Sequence, residues 1–313
     1  MNAAAGSRHL LAVAAPIDPA DRALVALVAA ILTARPALAD PALDLANVRR
    51  HLLAPLAHRA GIAALRGEYI AAALHAERRD QLLTEALTAL AGVPVMRLKG
   101  IAYIEHLYDD PALRPMTDLD LMVPADAFAD ARARLERLGY RDDRKRNQRS
   151  PVNHAVTLRR RESAIDLHRS MVQVGRMAID LPAVWREAIP AGAGTVRPAP
   201  AHEYLIHLAH MARHEFTVAL VSFVDADRLL ARAGDVEALA SAWHLSRAHA
   251  ILARYLQALR AGAELHPRPF PSTAELLRLT PPARPLQVLR KLAIHDSVRD
   301  LPGLAWGAVR TRV

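Results

Sequence analysis

Apolar positions recur at intervals of three and four through most of the first ninety residues. That spacing lays one stripe along an α-helix and predicts that the stripe is buried. Asp18 ahead of Pro19 reads as an N-cap with proline in the first turn, so a helix is expected over 18–33. Two more are expected over Leu43–Leu56 and Gly61–Leu90, the second long, alanine-rich and charged on one side. The period then changes. Val93–Leu98 reads as a buried strand that breaks at Lys99-Gly100 into helical spacing over Ile101–Tyr108. Asp118–Val123 (DLDLMV) alternates and then turns wholly apolar, as a half-buried strand entering a core does. Pro124 opens a helix over Ala125–Leu138, and Gly139 stops it. HAVTLRR and SAIDLHRS, separated by Arg161-Glu162, read as a hairpin with strands at Ala155–Leu158 and Ala164–His168.

From Met177 the pattern is mixed, and Gly192 and Gly194 mark a loop. After Pro198 and Pro200 helical spacing returns in AHEYLIHLAHMARHEF and VSFVDADRLLARAG. It continues over Val236–Ser246, Ala248–Ala261 and an amphipathic stretch from Leu286 to Asp296, with proline-rich connections at His266–Thr273 and Thr280–Pro285. The first seven residues are expected to be disordered, and the tail from Asp300 is apolar enough to pack on the body or a partner. The fold class expected is α+β: a small mixed β-sheet of four or five strands with helical N-terminal and C-terminal regions. The boundaries are a helical region over 1–90, a core over 91–175 and a helical domain over 176–313.

A chain of 313 residues can bury a large core. With 52% hydrophobic but only 4% aromatic residues, that core is built from alanine and leucine. The net charge is +9, and of the 41 basic residues only Lys99, Lys145 and Lys291 are lysines. The arginine excess suits either a solvated surface or attraction to nucleotide, RNA or anionic lipid. The run Arg141–Ser150 (RDDRKRNQRS) reads equally as an exposed loop and as a basic rim beside an anionic ligand. There is no cysteine, which excludes disulfides, zinc–thiolate sites and thiol chemistry. The apolar run after Arg8-His9 is too short for a signal peptide, and none approaches the ~20 residues that span a bilayer. A cytoplasmic location is expected.

The candidate chemistry gathers between Val93 and His168. Period two puts Asp118 and Asp120 on one face of their strand and Leu119 and Leu121 on the other. Two carboxylates so placed repel unless a cation lies between them, and Mg²⁺ (or Mn²⁺) with oxygen ligands and open positions for phosphate oxygens is the usual one. Gly100 at the strand–helix break aims backbone N–H groups at an anion, and Lys99 adds an ammonium. Asp166 and His168 share a face of the hairpin's second strand, so Asp166 supplies the third carboxylate that a two-metal site requires. Further on, His207, His210 and His214 fall at i, i+3 and i+7, with ~10 Å along the axis between the outer two. That is too far for one ion without help, so they read as core or substrate-lining histidines. Asp225 and Arg228, at i and i+3, are spaced to pair.

The order strand, Lys-Gly, helix, loop, Asp-x-Asp, strand resembles the nucleotidyltransferase superfamily of the DNA polymerase beta kind. More narrowly, LKGIAYIEHLYDDPALRPMTDLDLMV, then ARLERLGY and AIDLH, are similar to an uncharacterised bacterial nucleotidyltransferase family. The likeness is good over Val93–Ser170 and looser across the flanking helices. The chain departs from the wider superfamily in carrying Lys99-Gly100 where many members have Gly-Ser or Gly-Gly, so a serine hydroxyl that often touches phosphate is missing. The resemblance implies Mg²⁺-dependent transfer of a nucleoside monophosphate from an NTP. It casts Asp118, Asp120 and Asp166 as metal-binding and catalytic, Lys99, Gly100 and Arg114 as nucleotide-binding, and His168 and His210 as acceptor-side. The acceptor would be a small molecule, a peptide or a protein. A nucleic-acid acceptor fits the arginine excess, but with four Phe there is little material for stacking bases. A non-catalytic nucleotide-binding, antitoxin-like protein is the alternative, opposed by the complete set of carboxylates; a toxin-like enzyme acting on RNA ends is a third reading.

Overall fold

The computed structural model of the chain describes residues 18–143, 154–171, 177–265, 270–279, 284–294 and Asp296. Most of the basic run after Asp143, the first seven residues, much of both proline-rich connections and the apolar tail lie outside these residues. The strands are β1 (Met96–Arg97), β2 (Leu119–Met122), β3 (Arg141–Asp142), β4 (Ala155–Arg160), β5 (Ser163–His168), β6 (Ile189–Ala191) and β7 (Thr195–Arg197). They form one mixed sheet in the order β3-β4-β5-β2-β1-β7-β6. The β4–β5 hairpin turns at Arg161, a non-glycine residue with φ of 53°. β2 runs parallel to β5 and antiparallel to β1.

Three strands add to the four expected from alternation. β3, β6 and β7 are two or three residues long, too short to show a period, and β6–β7 turns where Gly192 and Gly194 marked a loop. Among the helices, Pro19–Leu32 is capped by the Asp18 carboxylate, which accepts from the Asp21 N–H at 2.8 Å. The helix expected over Leu43–Leu56 is instead two, Leu45–Arg50 and Ala54–Arg59, with Leu52 at φ 57° between them. Pro55 fits the break, because its ring has no N–H to continue the helix onto the His51 carbonyl and is tolerated in the first turn of a new one. The long helix runs over Arg66–Ala89, preceded by a 3-10 turn, and the one after β1 is a single turn, Lys99–Tyr103.

Strand β2 is buried on both faces, between two apolar clusters. Leu119, Leu121 and Val123 pack with Ile165, Leu167, Leu83 and Leu135. Met122, on the other face, joins Met96, Leu98, Tyr103 and residues of helices Pro19–Leu32, Pro200–Arg213 and Val221–Ala233. The helices from both ends of the sequence thus cover the face that carries Asp120.

Candidate active site

Parallel pairing sets β2 against β5 with Asp120 opposite Asp166, and Met122 opposite His168. Neighbouring strands lie about 4.8 Å apart, so one face receives Asp120, Asp166 and His168 together. Ligand atoms of these three lie within 4.8 Å of one another. Asp120 is buried, and its Oδ1 accepts from Lys99 Nζ at 2.5 Å and faces His168 Nε2 at 2.9 Å. Burial alone would raise its carboxyl; the Lys99 ammonium and His168 outweigh it and hold Asp120 well below the usual carboxylate range. Asp118 lies just before β2 and is half-buried. Burial, then the Asp120 and Asp166 carboxylates, push its carboxyl up. One Asp166 oxygen, Oδ1, is buried without a hydrogen-bond partner, as is Nδ1 of His168.

A buried anionic oxygen without a donor is costly, and a cation is the ordinary remedy. The donor set of two carboxylates and an imidazole fits a divalent ion of the Mg²⁺ or Mn²⁺ kind, the imidazole favouring the latter. Lys99 reaches Asp120 from a backbone at φ 49°, the left-handed region that costs a side-chain-bearing residue about 1–2 kcal/mol. Gly100 is buried, and a Cβ there would meet only the flexible end of Met116, 2.9 Å from Cε. Packing gives little reason for glycine at that point.

Of the stripe on Pro200–Arg213, His210 feels the charges of this site: burial first, then Lys99 and its histidine neighbours, drive it well below the usual imidazole range. The His214 ring lies tilted beside it, with centroids 4.8 Å apart, and burial, Arg213 and Lys99 push it down to about 4. His207 is elsewhere. Its Nε2 donates to the Ser222 carbonyl at 2.8 Å and its Nδ1 accepts from the Tyr103 hydroxyl at 3.1 Å, as a core histidine. Arg114, expected at the triphosphate, is buried with its guanidinium on Asp225, Nη2 to Oδ2 at 2.7 Å. Its Nη1 donates to the Pro115 carbonyl at 2.6 Å, and Tyr108 donates to the same Asp225 at 2.6 Å. Asp225 therefore does not pair with Arg228, which donates to the Leu107 carbonyl and lies over the Tyr108 ring at 4.2 Å. The Arg114–Asp225 pair went unread because its partners are 111 residues apart.

Residues 43–261 match the family described as uncharacterised nucleotidyltransferase. The chain belongs to that family. It is accordingly a transferase of nucleotidyl groups. A comparison with curated proteins finds no match. Among solved structures, the chain is similar to the solution structure of the antibiotic-resistance factor ANT(2'')-Ia. That likeness has 14% sequence identity and a TM-score of 0.40, over 58% of this chain and 95% of the other. Among the described residues, no helix is long and apolar enough to cross a membrane.

Proposed function

We propose that this nucleotidyltransferase moves a nucleoside monophosphate from an NTP to a hydroxyl or phosphate oxygen of an acceptor, with Mg²⁺ or Mn²⁺ held by Asp120 and Asp166 beside His168, and with Asp118 at the start of the same strand as the third carboxylate. The observation that carries the reading is the register: Asp120 faces Asp166 across two parallel strands, and a buried oxygen of Asp166 has no partner. When bound, the ions would neutralise the triphosphate and lower the pKa of the acceptor oxygen. The acceptor oxygen forms a bond to the α-phosphorus as the bond from that phosphorus to the β-phosphate breaks, and pyrophosphate leaves. Asp166 takes the acceptor's proton. His168 holds Asp120 in place through its 2.9 Å contact and, with His210, stands on the acceptor side.

Lys99 binds the β- and γ-phosphates in this scheme, trading its contact with Asp120 for the triphosphate. Backbone strain at Lys99 supports that role, since such strain collects at ligand-holding positions. The Gly100 N–H lies alongside, where the lack of a side chain lets phosphate approach closely. Arg114 serves the nucleotide as a positioning residue, fixing the Pro115–Thr117 loop that leads into Asp118. Chemistry of this sort is mostly positioning and charge neutralisation.

Two experiments test the proposal. Calorimetric titration with a non-hydrolysable NTP should show Mg²⁺-dependent binding in the wild-type chain and none in Asp120→Asn. Incubation of lysate with each α-labelled NTP and Mg²⁺ should yield one labelled species with the wild-type chain alone. Mg²⁺-independent NTP binding, unchanged in Asp120→Asn, would sink the reading.

A further inference from the structure

Helix Arg66–Ala89 buries a stripe made of Ala76, Arg79, Leu83 and Ala86. An arginine thus stands where the period calls for an apolar side chain. Arg79 is 7% exposed, and both Nε and Nη2 are buried without a hydrogen-bond partner. Its ion-pair partner is Asp80, whose Oδ1 lies 3.7 Å from Nε, beyond hydrogen-bond length. Burial pushes the guanidinium down and outweighs the opposing pull of Asp80, with a smaller push the same way from the buried Arg114. A desolvated cation with two idle donors is costly to a fold that gains nothing from it.

Arg79 lines a cleft of about 880 Å³ between this helix and the sheet, and Thr117 and Asp118 are among its other lining residues. Its other cations are mostly engaged: Arg49 holds Glu68 at 2.5 Å, and Arg159 holds Asp143 at 2.6 Å. Of the carboxylates that line it, Glu68 is engaged by Arg49 and Glu85 by Arg160. Among the described residues, Arg79 has only the long 3.7 Å contact with Asp80, whose carboxylate is largely exposed. The floor is apolar, from Leu52, Pro55, Leu82 and Met116. Lys99, Gly100 and Asp120 are not among the residues that line the cleft, so it reaches Asp118 apart from the proposed triphosphate contacts.

We propose that Arg79 is an anion-binding residue and that the acceptor enters by this cleft carrying a phosphate or carboxylate group. The planar fork of a guanidinium matches either group with two parallel hydrogen bonds. The rest of the acceptor lies over the apolar floor, with its reactive oxygen directed toward Asp118. This reading deepens the proposed nucleotidyl transfer and rests on it for the word acceptor, while the anion site itself stands on Arg79 alone.

The probes are inorganic phosphate and succinate, used with the full chain in the absence of NTP. One or both should raise the melting temperature of the wild-type chain, with no such rise in Arg79→Met. Arg79→Lys keeps the charge but loses the fork, and its anion affinity should fall about tenfold or more. Without ligand, Arg79→Met should melt at or above the wild-type temperature, since it removes a buried charge that the exposed Asp80 matches only at 3.7 Å. Binding of the Mg²⁺ complex of a non-hydrolysable NTP should be the same in wild type, Arg79→Met and Arg79→Lys, and neither anion should compete with it. Equal anion binding in wild type and Arg79→Met overturns the proposal, as does no binding in either. A clear fall in the melting temperature of ligand-free Arg79→Met makes the arginine structural and overturns it too. Competition with the NTP analogue would assign the cleft to the donor instead. Failure of NTP binding altogether would remove the proposed transfer and leave the anion result standing.

Discussion

Replacing Asp225 by Asn tests how the loop before Asp118 is held. The change keeps the shape of a side chain with no exposure but removes the charge that faces Arg114. Arg114 then remains as a buried cation, its Nε and Nη2 no longer opposite a carboxylate. Removing one partner of a buried ion pair costs about 3–5 kcal/mol, mostly the penalty of the charge left behind. An unfolding entropy of about 2.1 cal/mol/K per residue over 313 residues turns that into a fall in Tm of about 5–8 °C. Arg114→Met combined with Asp225→Asn removes the orphaned cation as well, so the double variant should recover at least half of the loss. Thermal unfolding of the wild type, both single variants and the double variant closes the cycle and isolates the pairwise energy. A loss under about 2 °C in Asp225→Asn, or a double variant as unstable as the sum of the singles, would refute the reasoning that the pair is a buried, desolvated one.

Other perturbations separate function from stability. Lys99→Ala should weaken NTP binding while Tm stays within a few degrees; intact NTP affinity with a large drop in Tm would make the lysine structural. Asp166→Asn should lose transfer by about 10²–10⁴-fold if the carboxylate takes the acceptor proton, yet keep Mg²⁺-dependent NTP binding. Equal loss of binding in Asp166→Asn and Asp120→Asn would show one undivided cluster. Acid should destabilise the chain through His51. That residue is wholly buried, its Nδ1 accepts from the Leu220 N–H at 3.1 Å, and its Nε2 donates to the Leu277 carbonyl at 2.7 Å. Burial lowers its pKa in the folded chain, so below about pH 6.5 the unfolded chain binds the extra proton. Stability is full above that pH and falls below it by about 1.4 kcal/mol per unit while His51 stays neutral. Denaturant midpoints at pH 7.5 and 5.5 measure this, and His51→Gln should flatten the slope.

What the sequence determined by itself lies in short-range pattern. The Asp18 cap, alternation in DLDLMV and SAIDLH, and the apolar stripes of the helices are set by neighbours within a few residues. Local sterics and hydrogen bonds decide those elements almost alone. Asp118, Asp120 and Asp166 were legible as candidates for the same reason: the period assigns a face. Whether the two strands would meet, and in which register, was not. Asp120 and Asp166 come opposite each other only because β2 and β5 pair in parallel, and a slip of one residue would turn Asp166 to the other face. Short pieces were invisible, because two or three residues of β3, β6 and β7 carry no period and gain strand geometry only by adding to the sheet. The histidine stripe shows the limit of helical periodicity. Spacing put His207, His210 and His214 in line, but their surroundings, the hydrogen bonds of His207 to Tyr103 and Ser222 and the charge of Lys99 on all three, belong to segments farther away in sequence. Likewise the partner of Asp225 was set by packing: Arg114 was brought into a dry interior where its charge had to be matched, and Arg228 was left to Tyr108 and the Leu107 carbonyl. Burial decides which charges must pair, and burial is a property of the assembled chain.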